Sequence, residues 1–183
     1  MENHTSGFPC AVLFDRDGTL IRDVPYNGDP ALVTEMPGAR EAVSAVRKRG
    51  LPVGVITNQS GIGRGLLSLE QVQSVNARVD QLLGPFDLWC VCPHGPEEGC
   101  ACRKPAPGLL LRAAAVLGLA TKELALIGDI GADMEAAAAA GARGVLVPTP
   151  ETRREEINDA AEVAPTIADA VELLFKVQQA VLP

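Results

Sequence analysis

The chain has 183 residues, 47% of them apolar but only 3% aromatic, so Val, Leu, Ile and Ala must fill the core of one domain spanning 1–183. With 16 Lys+Arg against 23 Asp+Glu the net charge is −7, and no Lys/Arg run exceeds three residues, which argues against nucleic acid and anionic membranes as partners. There is no apolar run of about 18 residues to span a bilayer, and Met1–Pro9 lacks a basic segment leading an apolar stretch, so a cytoplasmic protein, monomeric by default, is expected.

Short apolar runs alternate with helical patterns along the chain. Cys10–Phe14 reads as a buried strand, followed by a helix from Gly38 to Arg49 with Ala39, Ala42, Val43 and Val46 on one face. Leu51–Ile56 is the second strand. Ser68 and Gln71 then form a capping box opening a helix with Val72, Val75, Val79 and Leu82 inward, closed by Gly84-Pro85. Phe86–Cys92 is the third strand, and Pro107 suits the first position of a helix that stops at Gly118. Leu124–Ile127, an Ala-rich helix over Asp133–Ala140, and Gly144–Val147 follow. Glu151–Val163 reads as exposed surface with a helical turn, and Thr166 opens a last helix. Strands with little alternation between helices predict a doubly wound, Rossmann-like α/β fold with a parallel sheet of about five strands. Ligands in such sheets bind outside the carboxyl ends of the strands.

Those ends carry polar residues in a set order. Asp15 and Asp17 follow the first strand, with Gly18 allowing a sharp turn. Thr57, Asn58, Gln59 and Ser60 end the second and lead into the glycine-rich stretch Gly61–Gly65, which includes Arg64 and suits a phosphate cradle without being a Walker A loop. Arg103 and Lys104 precede the helix after the third strand, and Asp129 and Asp133 follow the fourth. Several acids, a lysine and a hydroxyl at one edge answer the needs of phosphoryl transfer, where a divalent cation and a lysine offset repulsion between the attacking carboxylate and the phosphate oxygens. Oxygen-only ligands favour Mg²⁺.

Phe14-Asp15-Arg16-Asp17-Gly18-Thr19-Leu20 resembles the first motif of the haloacid dehalogenase (HAD) superfamily, and Thr57-Asn58, Lys104 and Gly128-Asp129-x-x-x-Asp133 match the other three in order. The resemblance spans about residue 10 to 175. It implies that Asp15 is a nucleophile forming an aspartyl-phosphate and that Asp17 is the general acid, then the base. It further implies Mg²⁺ held by the Asp15 and Asp129 carboxylates and the Asp17 carbonyl. Thr57 and Lys104 would grip the phosphoryl group, and Asp133 would orient Lys104 or a water on the metal. The chain has no insertion large enough for a cap domain, so an open site is expected.

Four of the five cysteines fall between Cys90 and Cys102. Cys92, His94, Cys100 and Cys102 form two tight pairs around a short loop (92–102), a pattern suited to a closed, structural Zn²⁺ site, whereas Cys90 reads as core. An odd count with no sign of export argues against a disulfide framework. A zinc loop running into Cys-Arg-Lys-Pro narrows the resemblance to a small capless branch of the superfamily that acts on heptose 1,7-bisphosphate or histidinol phosphate. Thr57–Gly65 and the pair Asp23 and Tyr26 favour the sugar bisphosphate, with removal of the C7 phosphate in nucleotide-activated heptose biosynthesis. On that reading Asp23, Tyr26, Asn58, Gln59, Ser60, Arg64 and Arg103 contact substrate. The alternatives are histidinol phosphate hydrolysis, which the short loop and Ile130 after Asp129 would favour, and a catalytically dead zinc-loop binding protein.

Overall fold

The computed structural model describes residues 8–176, so the reading of the N-terminal segment lies, apart from its last two residues, outside the described residues. Five strands, β1 (Ala11–Phe14), β2 (Val53–Asn58), β3 (Leu88–Cys92), β4 (Leu124–Gly128) and β5 (Arg143–Leu146), form a parallel sheet in the order β3-β2-β1-β4-β5. The helices are α1 (Ala39–Arg47), α2 (Ser60–Gly63), α3 (Leu69–Leu83), α4 (Gly108–Leu117), α5 (Gly131–Ala140), α6 (Arg154–Asp159) and α7 (Ile167–Phe175).

Strand alternation sorts the core into two layers. Val12, Phe14, Val53, Val55, Ala125 and Ile127 point to one face, where α1, α3 and α7 cover them with Val43, Val46, Val75, Val79, Val171 and Leu174. Ala11, Leu13, Ile56, Leu124 and Leu126 point to the other, beneath Leu109, Leu110 and Ala113 of α4 and Ala136 and Ala137 of α5. Small side chains at Ala136 and Ala137 bring α5 close to the sheet, while Ala138 and Ala139 face away from it and are exposed. Ser68 caps α3 as read: its Oγ accepts from Gln71 N–H at 3.2 Å while its own N–H donates to Gln71 Oε1 at 2.8 Å, a box worth about 1 kcal/mol.

Boundaries shift in four informative places. β2 runs to Asn58 because Thr57 and Asn58 continue the ladder against Val91 and Cys92. The glycine-rich stretch contains one helical turn, α2. Pro107 caps α4 from outside its first turn, and α5 begins at Gly131, two residues before Asp133. β3 alternates buried and half-buried residues, as an edge strand does.

The strand order places the site. From β1 the chain winds outward through β2 and β3, then returns to the other side of β1 for β4. That reversal opens a crevice beyond the carboxyl ends of β1 and β4. Phe14 pairs with Ile127 on one side and with Val55 on the other, so Asp15, Thr57 and Asp129 emerge at the same edge. Among the described residues, no helix is long and apolar enough to cross a membrane.

Candidate active site

A cavity of about 340 Å³ opens at this edge, lined by Asp15, Asp17, Asp23, Tyr26, Thr57, Asn58, Gln59, Ser60, Lys104 and Asp129, together with Arg16 and the apolar Val24, Pro25 and Ile130. Asp133, from the first turn of α5, is fully buried beneath it. Lys104 is also buried, and its ammonium is shared between the Asp15 carboxylate and Asp133 Oδ1, the latter at 2.6 Å. It further donates to the Ile56 carbonyl at 3.3 Å. Two sequence-predicted residues stand apart. Arg64 is exposed outside the cavity and donates to the Tyr26 hydroxyl at 2.7 Å. Arg103 does not line the cavity, and its Nη1 is buried without a hydrogen-bond partner.

Charge at the cavity floor is unbalanced. The carboxylates of Asp15, Asp129 and Asp133 face the single buried ammonium of Lys104, and one oxygen from each lies within 4.8 Å of the others. Burial pushes Asp15 well above the usual carboxylate range; Lys104 pulls it down, and Asp133, Asp129 and Asp17 add to the rise. Burial and Asp133 likewise push Asp129 up to about 7, against the opposing hydrogen bond from Thr19 and the charge of Lys104. At Lys104 burial lowers the pKa, but Asp133 and Asp15 outweigh it and hold the ammonium charged. One lysine cannot offset three carboxylates, and a divalent cation would neutralise the excess of two charges. Clustered hard oxygen donors with that excess fit Mg²⁺. Gly18 keeps the approach clear: its φ is +81°, and a Cβ there would stand 2.2 Å from Asp129 Oδ2.

Several contacts hold the constellation in place. Gln59 Nε2 donates to Asp17 Oδ2 at 2.9 Å and to Thr57 Oγ1 at 2.8 Å. Thr19 Oγ1 donates to Asp129 Oδ1 at 3.2 Å, and Thr152 Oγ1, from the loop before α6, donates to the Asp129 carbonyl at 2.6 Å. Arg16, Asn76 and Thr152 were not assigned roles from sequence. Arg16 lies inside the first motif and was open to notice; Asn76 and Thr152 sit in a helix and a polar loop with no local pattern to mark them.

Beyond β3, Cys92, His94, Cys100 and Cys102 converge. Cys92 Sγ is 3.6 Å from Cys100 Sγ and 3.2 Å from Cys102 Sγ, Cys100 and Cys102 are 3.6 Å apart, and His94 Nδ1 lies 3.6 Å from Cys92 and 3.2 Å from Cys102. A tetrahedral zinc with Zn–S bonds of about 2.3 Å sets ligand–ligand edges of about 3.7 Å, so the donor set fits Zn²⁺ with every position filled by protein. Cys90 is buried in the core.

A model described as HAD-hydrolase-like matches residues 101–172. The D-glycero-beta-D-manno-heptose-1,7-bisphosphate 7-phosphatase of Pseudomonas putida KT2440 is 38% identical over 152 residues, covering 78% of this chain and 85% of the relative. The chain belongs to the HAD-like phosphatases. As a HAD-like phosphatase it is a phosphoric monoester hydrolase. The Escherichia coli K12 protein of the same name is 33% identical over 182 residues, or 92% of this chain and 95% of its own. Among solved structures, D,D-heptose 1,7-bisphosphate phosphatase from B. bronchiseptica, complexed with magnesium and phosphate, superposes with a TM-score of 0.80. It is 30% identical and covers 90% of this HAD-like phosphatase and 97% of its own chain.

Proposed function

We propose that this HAD-like phosphatase removes the C7 phosphate of D-glycero-D-manno-heptose 1,7-bisphosphate, in nucleotide-activated heptose biosynthesis, through an aspartyl-phosphate on Asp15. The observation that carries the mechanism is the pairing of a buried Asp15 with Lys104 at the wall of a cavity also lined by Asp17 and Thr57. Heptose as substrate is supported by the names of relatives that match most of this chain, at 38% and 33% identity for the two described.

In the first step a carboxylate oxygen of Asp15 attacks phosphorus, the bond from phosphorus to the sugar oxygen breaks, and that oxygen takes a proton from the Asp17 carboxylic acid. In the second, the Asp17 carboxylate takes a proton from water, whose oxygen attacks the same phosphorus. The bond between phosphorus and the Asp15 oxygen of this acyl phosphate breaks, and inorganic phosphate leaves with the Asp15 carboxylate restored. Lys104 and Thr57 offer donors to the equatorial phosphoryl oxygens, and Asp133 keeps the ammonium aimed. Mg²⁺, held by Asp15, Asp129 and the Asp17 carbonyl, would supply charge neutralisation of the phosphoryl oxygens. Asp23, Tyr26, Asn58, Gln59 and Ser60 would contact the sugar, with Arg64 at the rim and Arg103 as a further anion partner. Zn²⁺ on Cys92, His94, Cys100 and Cys102 would fix loop 92–102, which leads directly to Lys104, within a single domain over 1–183.

Acid quenching during turnover, followed by digestion and mass spectrometry, tests the nucleophile. The peptide containing Asp15 should carry a phosphoryl group in the wild type. Asp15→Asn should carry none and release no phosphate; turnover surviving in that variant overturns the assignment.

A further inference from the structure

The geometry points to Arg16 and Asn76 as positioning residues that aim the Asp17 carboxyl at the leaving-group oxygen. Arg16 stands between the proposed nucleophile and the proposed general acid, yet its side chain is only 2% exposed. Its Nε lies 3.2 Å from both oxygens of Asp17 and its Nη2 lies 3.0 Å from Oδ2. The remaining terminal nitrogen, Nη1, donates to Asn76 Oδ1 at 2.6 Å. Asn76 belongs to α3, sixty residues further along the chain, on a helix whose other inward residues, Val72, Val75 and Val79, are apolar.

A guanidinium is planar, so fixing one of its edges fixes the other. Asn76 holds one edge against a helix packed into the core, and the opposite edge then fixes the Asp17 carboxyl. Gln59 Nε2 holds Asp17 Oδ2 from the other side at 2.9 Å. Asp17 is the more exposed partner, its side chain 25% accessible at the cavity wall, so without these donors it would rotate freely about two bonds. General-acid catalysis is sensitive to such freedom, because the proton must lie within hydrogen-bond reach of the oxygen that departs. Arg16 lines the cavity wall, with its guanidinium engaged by Asp17 and Asn76, and Asn76 lies outside the cavity.

This inference rests on the reading of Asp17 as general acid, and the test separates the two. kcat/KM is compared for heptose 1,7-bisphosphate, whose alkoxide leaving group needs a proton, and for 2,4-dinitrophenyl phosphate, whose leaving group does not. Asp17→Asn should lose about 100-fold or more on the first substrate and far less on the second. Asn76→Leu, which removes the anchor and excludes a replacing water, should lose about tenfold on the heptose substrate and less than about threefold on the aryl one. Asn76→Asp, which keeps an oxygen toward Arg16, should retain the wild-type ratio of the two substrates. Thermal melts establish that each variant is folded. An unchanged ratio in Asn76→Leu, whether through equal losses or none, overturns the role of Arg16 and Asn76 while leaving Asp17 in place. Equal losses in Asp17→Asn overturn the general acid itself, and the positioning role with it.

Discussion

The side-chain amide of Asn58 exchanges two hydrogen bonds with the main chain of Lys104, donating to its carbonyl at 3.0 Å and accepting from its N–H at 3.1 Å. This reciprocal pair joins the last residue of β2 to Lys104, two residues past the Cys/His loop and 46 positions later. It fixes the backbone from which the Lys104 ammonium reaches Asp15 and Asp133. Asn58→Asp replaces the donor with a second acceptor facing the Lys104 carbonyl. Urea unfolding should show a loss of about 1–3 kcal/mol, and kcat should fall by about tenfold or more as the ammonium loses its aim.

The loop on the other side of Lys104 should depend on its metal. Cys100→Ser removes one of four donors that lie within 4.8 Å of one another. Elemental analysis should find the zinc content well below one per chain, and the melting temperature should fall, because metal-binding energy in a closed site is folding energy. Full zinc retention in the variant would remove Cys100 from the ligand set.

Much of this arrangement was legible in the sequence. β1 and β4 were readable to within a residue because buried parallel strands are short, uninterrupted apolar runs. The end of β2 was not, since Thr57 and Asn58 are polar and resemble a loop, although they continue the ladder with Val91 and Cys92. Asp15 and Asp129 directly follow β1 and β4 and Thr57 lies at the end of β2, a relation that spacing reveals, whereas Lys104 is brought in by the loop after β3 and Asp133 by the first turn of α5. Arg103 and Lys104 lie in a turn closed by the Ala106 N–H on the Arg103 carbonyl at 2.8 Å, and of the two only Lys104 lines the cavity, a difference that adjacency in sequence does not reveal. Asn76 and Thr152 were illegible because they reach the site across 60 and 23 residues from a helix face and a loop.

The surplus of carboxylates makes the folded state sensitive to pH when Mg²⁺ is absent. Burial and Asp133 raise Asp129 from 3.8 to about 7, and Asp15 moves in the same direction. The folded protein therefore binds more protons than the unfolded chain between about pH 4 and 7, and stability falls as pH rises through that window. Melting temperatures in magnesium-free buffer should fall from pH 5 to pH 8. Added Mg²⁺ should raise the melting temperature more at pH 8, where the carboxylates are ionised, than at pH 5. A flat profile would contradict the charge surplus.

Gly18 offers a steric test of the same cluster. Gly18→Ala would force a Cβ to within 2.2 Å of Asp129 Oδ2 in a left-handed backbone at φ +81°, at a conformational cost of about 1–2 kcal/mol before the clash is counted. The Asp129 carboxylate must move to admit it. The Mg²⁺ concentration giving half-maximal activity should rise by about tenfold or more, with kcat/KM reduced; an unaltered Mg²⁺ dependence would detach Asp129 from the metal.

The proposed activity of this HAD-like phosphatase is on a heptose bisphosphate. It is tested most directly by measuring kcat/KM for phosphate release, with Mg²⁺, from both anomers of D-glycero-D-manno-heptose 1,7-bisphosphate and from histidinol phosphate. A preference of about 100-fold or more for one heptose anomer, equivalent to about 2.7 kcal/mol of transition-state discrimination, is the predicted result. A comparable preference for histidinol phosphate, or equal turnover of all three, would contradict it.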